Sequence, residues 1–211
     1  MIERYDSMTN EDISLLHTVG KWRFLLSRHI QVFTGHSSKR TFYRKLKRLI
    51  DTGYLKRKRI LYGIPAIYTL THKGRVLIGL NKREDKIRLD QLNHDILVLD
   101  TVLHIIQKED VSMDSITSEK ELHSGDGFGT RKHQPDFMIL KDGETYAYEI
   151  ELSLKAESRI SENVQLNYIN YDYQVWVISK DNKKLCRTVE NVLSTYHNAS
   201  ILYTCEVLKD D

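Results

Sequence analysis

SSKRTFYRKLKRLIDTGYLKRKRILYGIPAIYTLT, residues 37–71, is the stretch whose reading decides the N-terminal fold. Phe42, Leu46, Leu49 and Ile50 fall at i, i+4, i+7 and i+8, which predicts a helix with one apolar stripe. Ser37 or Ser38 can cap its start, and Gly53 marks its end. Lys39, Arg40, Tyr43, Arg44, Lys47 and Arg48 then face outward, away from that stripe. Two β-rich runs follow around Gly63-Ile64-Pro65, the sequence form of a hairpin. Lys56, Arg57, Lys58 and Arg59 lie on its first strand or in its loop, where they can reach phosphates beside a groove.

Upstream, Thr9 and Asp12 have capping-box spacing, and Ile13, Leu16 and Val19 give a first helix its apolar side. A second helix is expected through Trp22, Leu25, Leu26, Ile30 and Phe33, stopping at Thr34-Gly35-His36. A basic-faced third helix in this position reads as a recognition helix for the major groove, and the hairpin after it as a wing. YTLTHKGRVLIG, residues 68–79, with Thr71 as a helix cap, resembles the strand-to-helix junction of winged-helix transcription regulators. That resemblance covers about residues 9–80 and implies binding to double-stranded DNA.

Charge supports the same division. Lys21 to Arg88 holds nineteen Lys and Arg against three acids, whereas the rest of the chain has thirteen against twenty-six. A block of one sign inside folded sequence marks a footprint for a polyanion. With 211 residues, 40% of them apolar, there is material for two small cored domains, expected at 1–88 and 89–211. No apolar run approaches a membrane span, and MIERYDSMTNED is too acidic for a signal peptide, so a cytoplasmic protein is expected. Cys186 and Cys205 lack metal-ligand company and read as buried free thiols.

A linking helix is expected over 89–108. Leu89, Leu92, Ile96, Leu99, Leu103 and Ile106 alternate by three and four, and Val98, Val102 and Ile105 form a second apolar side. Such a seam packs on a sheet or on a second copy of the chain, which makes a homodimer an expected partner state. Beyond it, strands are expected at 135–141, 145–153, 173–179 and 200–207, a turn at Asp142-Gly143, helices at 154–170 and 183–196, and a further strand near 115–119. The order is that of a small mixed-sheet α/β domain. In its second strand Glu149 and Glu151 share one face while Tyr148, Ile150 and Leu152 share the other. Two carboxylates so placed need a cation or a basic partner.

Pro135-Asp136 followed by Glu149 on the next strand resembles the PD-(D/E)XK signature of the restriction-endonuclease-like fold, with Glu151 where the family has its lysine. The resemblance implies a catalytic set of Asp136, Glu149, Glu151 and Lys155, with the three acids as Mg²⁺ ligands and Lys155 as a relocated auxiliary base. Together, the winged-helix pattern, Leu92-Asn93-His94-Asp95, HQPDFMIL and EIELSLKAESRISENVQLNYINY resemble the replication-relaxation family of plasmids and other mobile elements, in which a winged helix precedes a nuclease-like domain. Glu149, Glu151, Lys155, Arg159 and Tyr168 carry that likeness. It implies a role in replication, relaxation, transfer or gene regulation of a mobile element.

Three functions are consistent with these residues. The first is a sequence-specific DNA-binding accessory or regulatory protein whose C-terminal fold serves dimerisation or partner binding. The second is a Mg²⁺-dependent nuclease or nickase. The third is an adaptor that recruits a replication or transfer protein and uses the basic block only as a tether. Salt and sequence dependence separate them, because tethering is dominated by counterion release whereas base readout survives competitor DNA.

Overall fold

The computed structural model describes residues 8–60, 62–80, 86–109, 111–126 and 132–208. The protein has a mixed α+β fold, with a three-stranded and a five-stranded sheet among the described residues. The chain divides into two compact units, Met1–Leu89 and Asp90–Asp211.

In the first unit α1 (Asn10–Lys21) opens with the capping box: Thr9 Oγ1 accepts from the Asp12 amide at 3.2 Å, and Asp12 Oδ2 accepts from the Thr9 amide at 2.9 Å. The second helix is shorter than its apolar pattern suggests. Leu25 and Leu26 leave the helical path to form β1, and only Ser27–Phe33 is helical, as α2. Tertiary pairing decides this, because β1 lies antiparallel to β3 (Ile67–Leu70) and both leucines are buried. The α3 helix (Lys39–Asp51) is capped by Ser38 and buries Phe42, Leu46 and Leu49, while Ile50 is half-buried. Gly53, at φ 77°, takes the left-handed turn that releases the chain into β2 (Leu55–Lys58). The sheet order is β1-β3-β2, antiparallel throughout. Thr71 caps α4 (His72–Leu77) and donates its hydroxyl to the Gly53 carbonyl at 2.6 Å, tying the end of α3 to the end of the hairpin.

The second unit begins with α5 (Leu92–Lys108); residues 89–91 form a 3-10 turn rather than the start of the helix. Leu89 is exposed, so the expected seam lacks its first member. The buried side comprises Leu92, Leu97, Val98, Leu99, Val102 and Ile105, while Ile96, Leu103 and Ile106 are half-buried. Both flanks therefore contribute to the packed side, Leu92 and Leu99 from the seam and Val98, Val102 and Ile105 from the second flank. Then come β4 (Ile116–Ser118), α6 (Glu119–Leu122), β5 (Phe137–Lys141), β6 (Glu144–Glu151), α7 (Glu157–Asn170), β7 (Tyr173–Ile178), α8 (Lys183–Leu193), β8 (Ala199–Tyr203) and α9 (Thr204–Val207). The order β4-β5-β6-β7-β8 is antiparallel as far as β6 and parallel thereafter. Asp142 and Gly143, at φ 54° and 85°, make the two-residue turn between β5 and β6. Residues 204–207, expected to extend the last strand, turn into α9.

Ile160, Val164, Leu185, Val189 and Leu193 of α7 and α8 cover Trp176 and Ile178 on the sheet. The parallel register sets Glu149 beside Trp176 and Glu151 beside Ile178, so both carboxylates lie on this covered face. Both cysteines are free, but neither is buried as expected: Cys186 is half-buried and Cys205, on α9, is exposed. No helix among the described residues is long and apolar enough to cross a membrane.

Candidate nucleic-acid interface and carboxylate cluster

Amphipathic α3 divides the expected DNA-contacting residues. With Phe42, Leu46 and Leu49 fixed in the core, Lys39, Arg40, Tyr43, Arg44 and Lys47 are exposed. On the hairpin, Arg57, Lys58 and Arg59 are exposed and Lys56 is half-buried. The three cations on β2 are divided by the strand alternation, Lys56 and Lys58 pointing to one side and Arg57 to the other, while Arg59 lies just beyond the strand.

Arg48 departs from the expected outward set. Its guanidinium pairs with Asp12, whose carboxylate is fully buried at the start of α1, and its side chain is 39% exposed. Arg48 therefore joins α3 to α1. Burial raises the Asp12 pKa, but hydrogen bonds from Thr9 and Arg48 outweigh it and hold the carboxyl below its ordinary value. Lys45 is likewise engaged, with Glu11.

The second unit gathers the acids that the sequence singled out, each with its own compensating partner. Asp136 Oδ2 accepts from the Ile150 amide at 2.7 Å and lies 3.4 Å from His94 Nε2. His94 Nε2 is also 3.1 Å from the Ile150 carbonyl, and its Nδ1 is 3.5 Å from Asp95. Burial works against the charged imidazole, yet the hydrogen bonds and charges of Asp136 and Asp95 outweigh it and raise the His94 pKa to about 10. Glu149 Oε1 lies 2.9 Å from His133 Nε2 and accepts from Asn167 Nδ2 at 3.1 Å. Burial pushes the Glu149 pKa up, against the opposing pull of His133. His133 is itself raised, because Glu149 outweighs the cost of burying the cation. Glu151 pairs with Lys155 Nζ at 2.5 Å and accepts from the Ser153 amide at 3.2 Å.

These contacts describe the acids expected as metal ligands as they stand without an ion. Among the described residues no group of three or more His, Cys, Asp and Glu side chains is arranged to hold a metal ion. Carboxylate oxygens are the right donors for Mg²⁺, but here Asp136 is taken by His94 and a backbone amide, Glu149 by His133 and Asn167, and Glu151 by Lys155. Lys155, expected as an auxiliary base, is a counter-charge to Glu151, and it sits just before α7 rather than inside it.

His94, His133 and Asn167 are the members of this cluster that sequence reasoning does not assign. His133 has a signal, standing two residues before Pro135-Asp136; Asn167 has none, because only the packing of α7 on the sheet carries it to Glu149.

No protein-family model matches the chain, no curated protein is recognisably similar to it, and no solved structure matches its fold.

Proposed function

We propose that the first unit is a winged helix-turn-helix that binds double-stranded DNA, with α3 in the major groove and the β2–β3 hairpin as the wing. The observation that carries this reading is the division of α3. Five polar or cationic side chains, Lys39, Arg40, Tyr43, Arg44 and Lys47, stand exposed opposite a buried apolar stripe, next to the exposed cations of the hairpin. An outward cationic helix beside a cationic hairpin offers donors to base edges and to flanking phosphates at once.

In this reading the second unit is a restriction-endonuclease-like fold whose internally paired acids make it a scaffold. Its work is dimerisation or recruitment of a replication or transfer protein. The likeness to the replication-relaxation family supports a role as an accessory or regulatory protein of a plasmid or other mobile element. The half-buried Ile96, Leu103 and Ile106 on α5 are consistent with a dimer contact.

The test is one gel. Purified chain and its Asp136→Ala variant are incubated with supercoiled and linear DNA under Mg²⁺, Mn²⁺ or chelator, and migration and strand integrity are read together. Shifted but intact DNA in every lane is the expected result. Metal-dependent nicking that disappears in the variant would replace this reading with that of a nuclease, and absence of any shift would remove the DNA-binding assignment.

A further inference from the structure

The second unit is acidic, with twelve Lys and Arg against twenty-two Asp and Glu over Asp90–Asp211. Four of those cations, Lys180, Lys183, Lys184 and Arg187, nevertheless fall within eight consecutive residues that contain one acid, Asp181. All four are exposed. Leu185, Val189 and Leu193 hold the apolar side of α8 in the core, so Lys183, Lys184 and Arg187 face outward, within about 6 Å of one another along the helix axis. Lys180 precedes the helix, its ammonium 4.2 Å from the centre of the Tyr203 ring. Among the described residues none of the four is paired with an acid.

This charge stands where it serves the helix least. The amino end of a helix carries partial positive charge, which favours acids in the first turn and opposes cations there. Helices α1, α5 and α7 follow that rule, with Glu11 and Asp12, with Asp95 and with Glu157. Helix α8 has no acid in its first turn and places Lys183 and Lys184 there. The same departure occurs in α3, which begins with Lys39 and Arg40. A local rule broken with no compensation inside the fold points to a partner outside it.

The surroundings of the four cations define that partner. From Gln174 to Val207 no large apolar side chain is exposed. The surface thus lacks the aromatic and aliphatic anchors that carry affinity between proteins, and it offers no exposed ring on which the bases of a single strand could stack. It presents cations, with exposed Asn191 and Ser194 further along the helix. Phosphates of a duplex need only such charge and hydrogen bonding.

We propose that α8 and the turn before it bind the phosphate backbone of double-stranded DNA through Lys180, Lys183, Lys184 and Arg187, without reading its sequence. The second unit thereby contributes a DNA contact of its own, one that does not depend on the major-groove assignment of α3.

The test uses the full chain. An α8 variant (Lys183→Gln, Lys184→Gln, Arg187→Gln) is compared with the wild type and with a hairpin variant (Arg57→Gln, Lys58→Gln, Arg59→Gln). Fluorescence anisotropy gives the affinity for labelled duplexes of unrelated sequence over a series of salt concentrations, and backbone amides of the ¹⁵N-labelled wild type are followed as duplex is added. Each phosphate contact contributes about 0.9 to the salt slope, so the α8 variant should lose about 2–3 of slope and roughly tenfold or more in affinity, equally for every duplex. The amides of residues 183–188 should shift and saturate. The Tm of the α8 variant should stay level or rise, because the substitutions remove cations from the first turn; if it falls, the amide titration of the wild type decides alone.

Wild-type affinity and slope in a folded α8 variant overturn the proposal, as do α8 amides that stay in place. Labelled poly-L-glutamate serves as an acidic polypeptide. If the α8 variant loses that probe and keeps DNA, the surface belongs to an acidic protein and the proposal falls. A hairpin variant that binds duplex as the wild type does, while the α8 variant does not, upholds this site and overturns the wing assignment in the first unit.

Discussion

Replacing Arg48 by Met separates a structural arginine from a base-reading one. The substitution keeps most of the aliphatic stem and removes the guanidinium that meets Asp12 across α1 and α3. Asp12 would remain fully buried with only Thr9 as partner, whose amide and hydroxyl reach Oδ2 at 2.9 and 2.8 Å. Breaking a buried ion pair costs about 3–5 kcal/mol, and an exposed one less than about 1 kcal/mol. Here one partner is inaccessible and the other is 39% exposed, so solvent screens part of the interaction and the loss is about 2 kcal/mol. For a unit of this size each kcal/mol moves Tm by about 4–8 °C, giving a fall of about 8–16 °C in the first transition. The assay is thermal unfolding of the wild type, Arg48→Met, Asp12→Asn and the double variant. The cycle should yield a coupling near 2 kcal/mol. DNA affinity at 20 °C, where the variant stays folded, should change less than about threefold, well under the factor of ten that 1.4 kcal/mol represents. A Tm change under about 2 °C, combined with loss of discrimination between DNA sequences, would refute the assignment and return Arg48 to the groove.

Arg44→Ala should relax discrimination between DNA sequences by about 1–3 kcal/mol, whereas neutralising Arg57, Lys58 and Arg59 should weaken all DNA alike and lower the salt slope by about one unit per lost phosphate contact; identical behaviour of the two sets in competition binding would contradict the groove and wing placement. Gly74→Ala should destabilise the first unit by about 2 kcal/mol, because the added Cβ would lie 2.3 Å from the Tyr54 carbonyl oxygen; an unchanged urea midpoint would show that this close approach is absent. His94 is a base whose folded pKa is raised from 6.5 to about 10, so its contribution is fully present below pH 6.5 and is lost as pH rises towards 10. Its size is on the order of 3 kcal/mol after allowance for a side chain 30% exposed. The Tm of the second unit should therefore fall across that window, and His94→Gln should flatten the slope; an unaltered slope would assign the titration elsewhere.

Local chemistry makes several elements legible in the amino-acid sequence. The Thr9–Asp12 box, the Ser38 and Thr71 caps, the apolar stripe of α3 and the Asp142-Gly143 turn each depend on residues close to one another in the chain, so spacing alone specifies them. The elements that depart from their local pattern depend on distant partners. Leu25 and Leu26 have a helical apolar pattern and nevertheless become β1, because β3 presents a hydrogen-bonding edge roughly forty residues later in the chain. The α5 pattern reads as a heptad seam, but a helix with two apolar flanks does not state which residues will pack; Leu92 and Leu99 of the seam are buried together with Val98, Val102 and Ile105, while Ile96, Leu103 and Ile106 are half-buried.

The same division holds for the functional residues. The concentration of cations on α3 and the following hairpin, and the shared strand face of Glu149 and Glu151, are written in the chain itself, since both follow from fixed periods of side-chain direction. Folding in three dimensions is what assigns Arg48 to Asp12 and stands His94 and His133 against Asp136 and Glu149. Each of those pairings joins residues far apart in the chain. Charge balance and buried hydrogen bonding choose among such partners only once packing has brought them within reach.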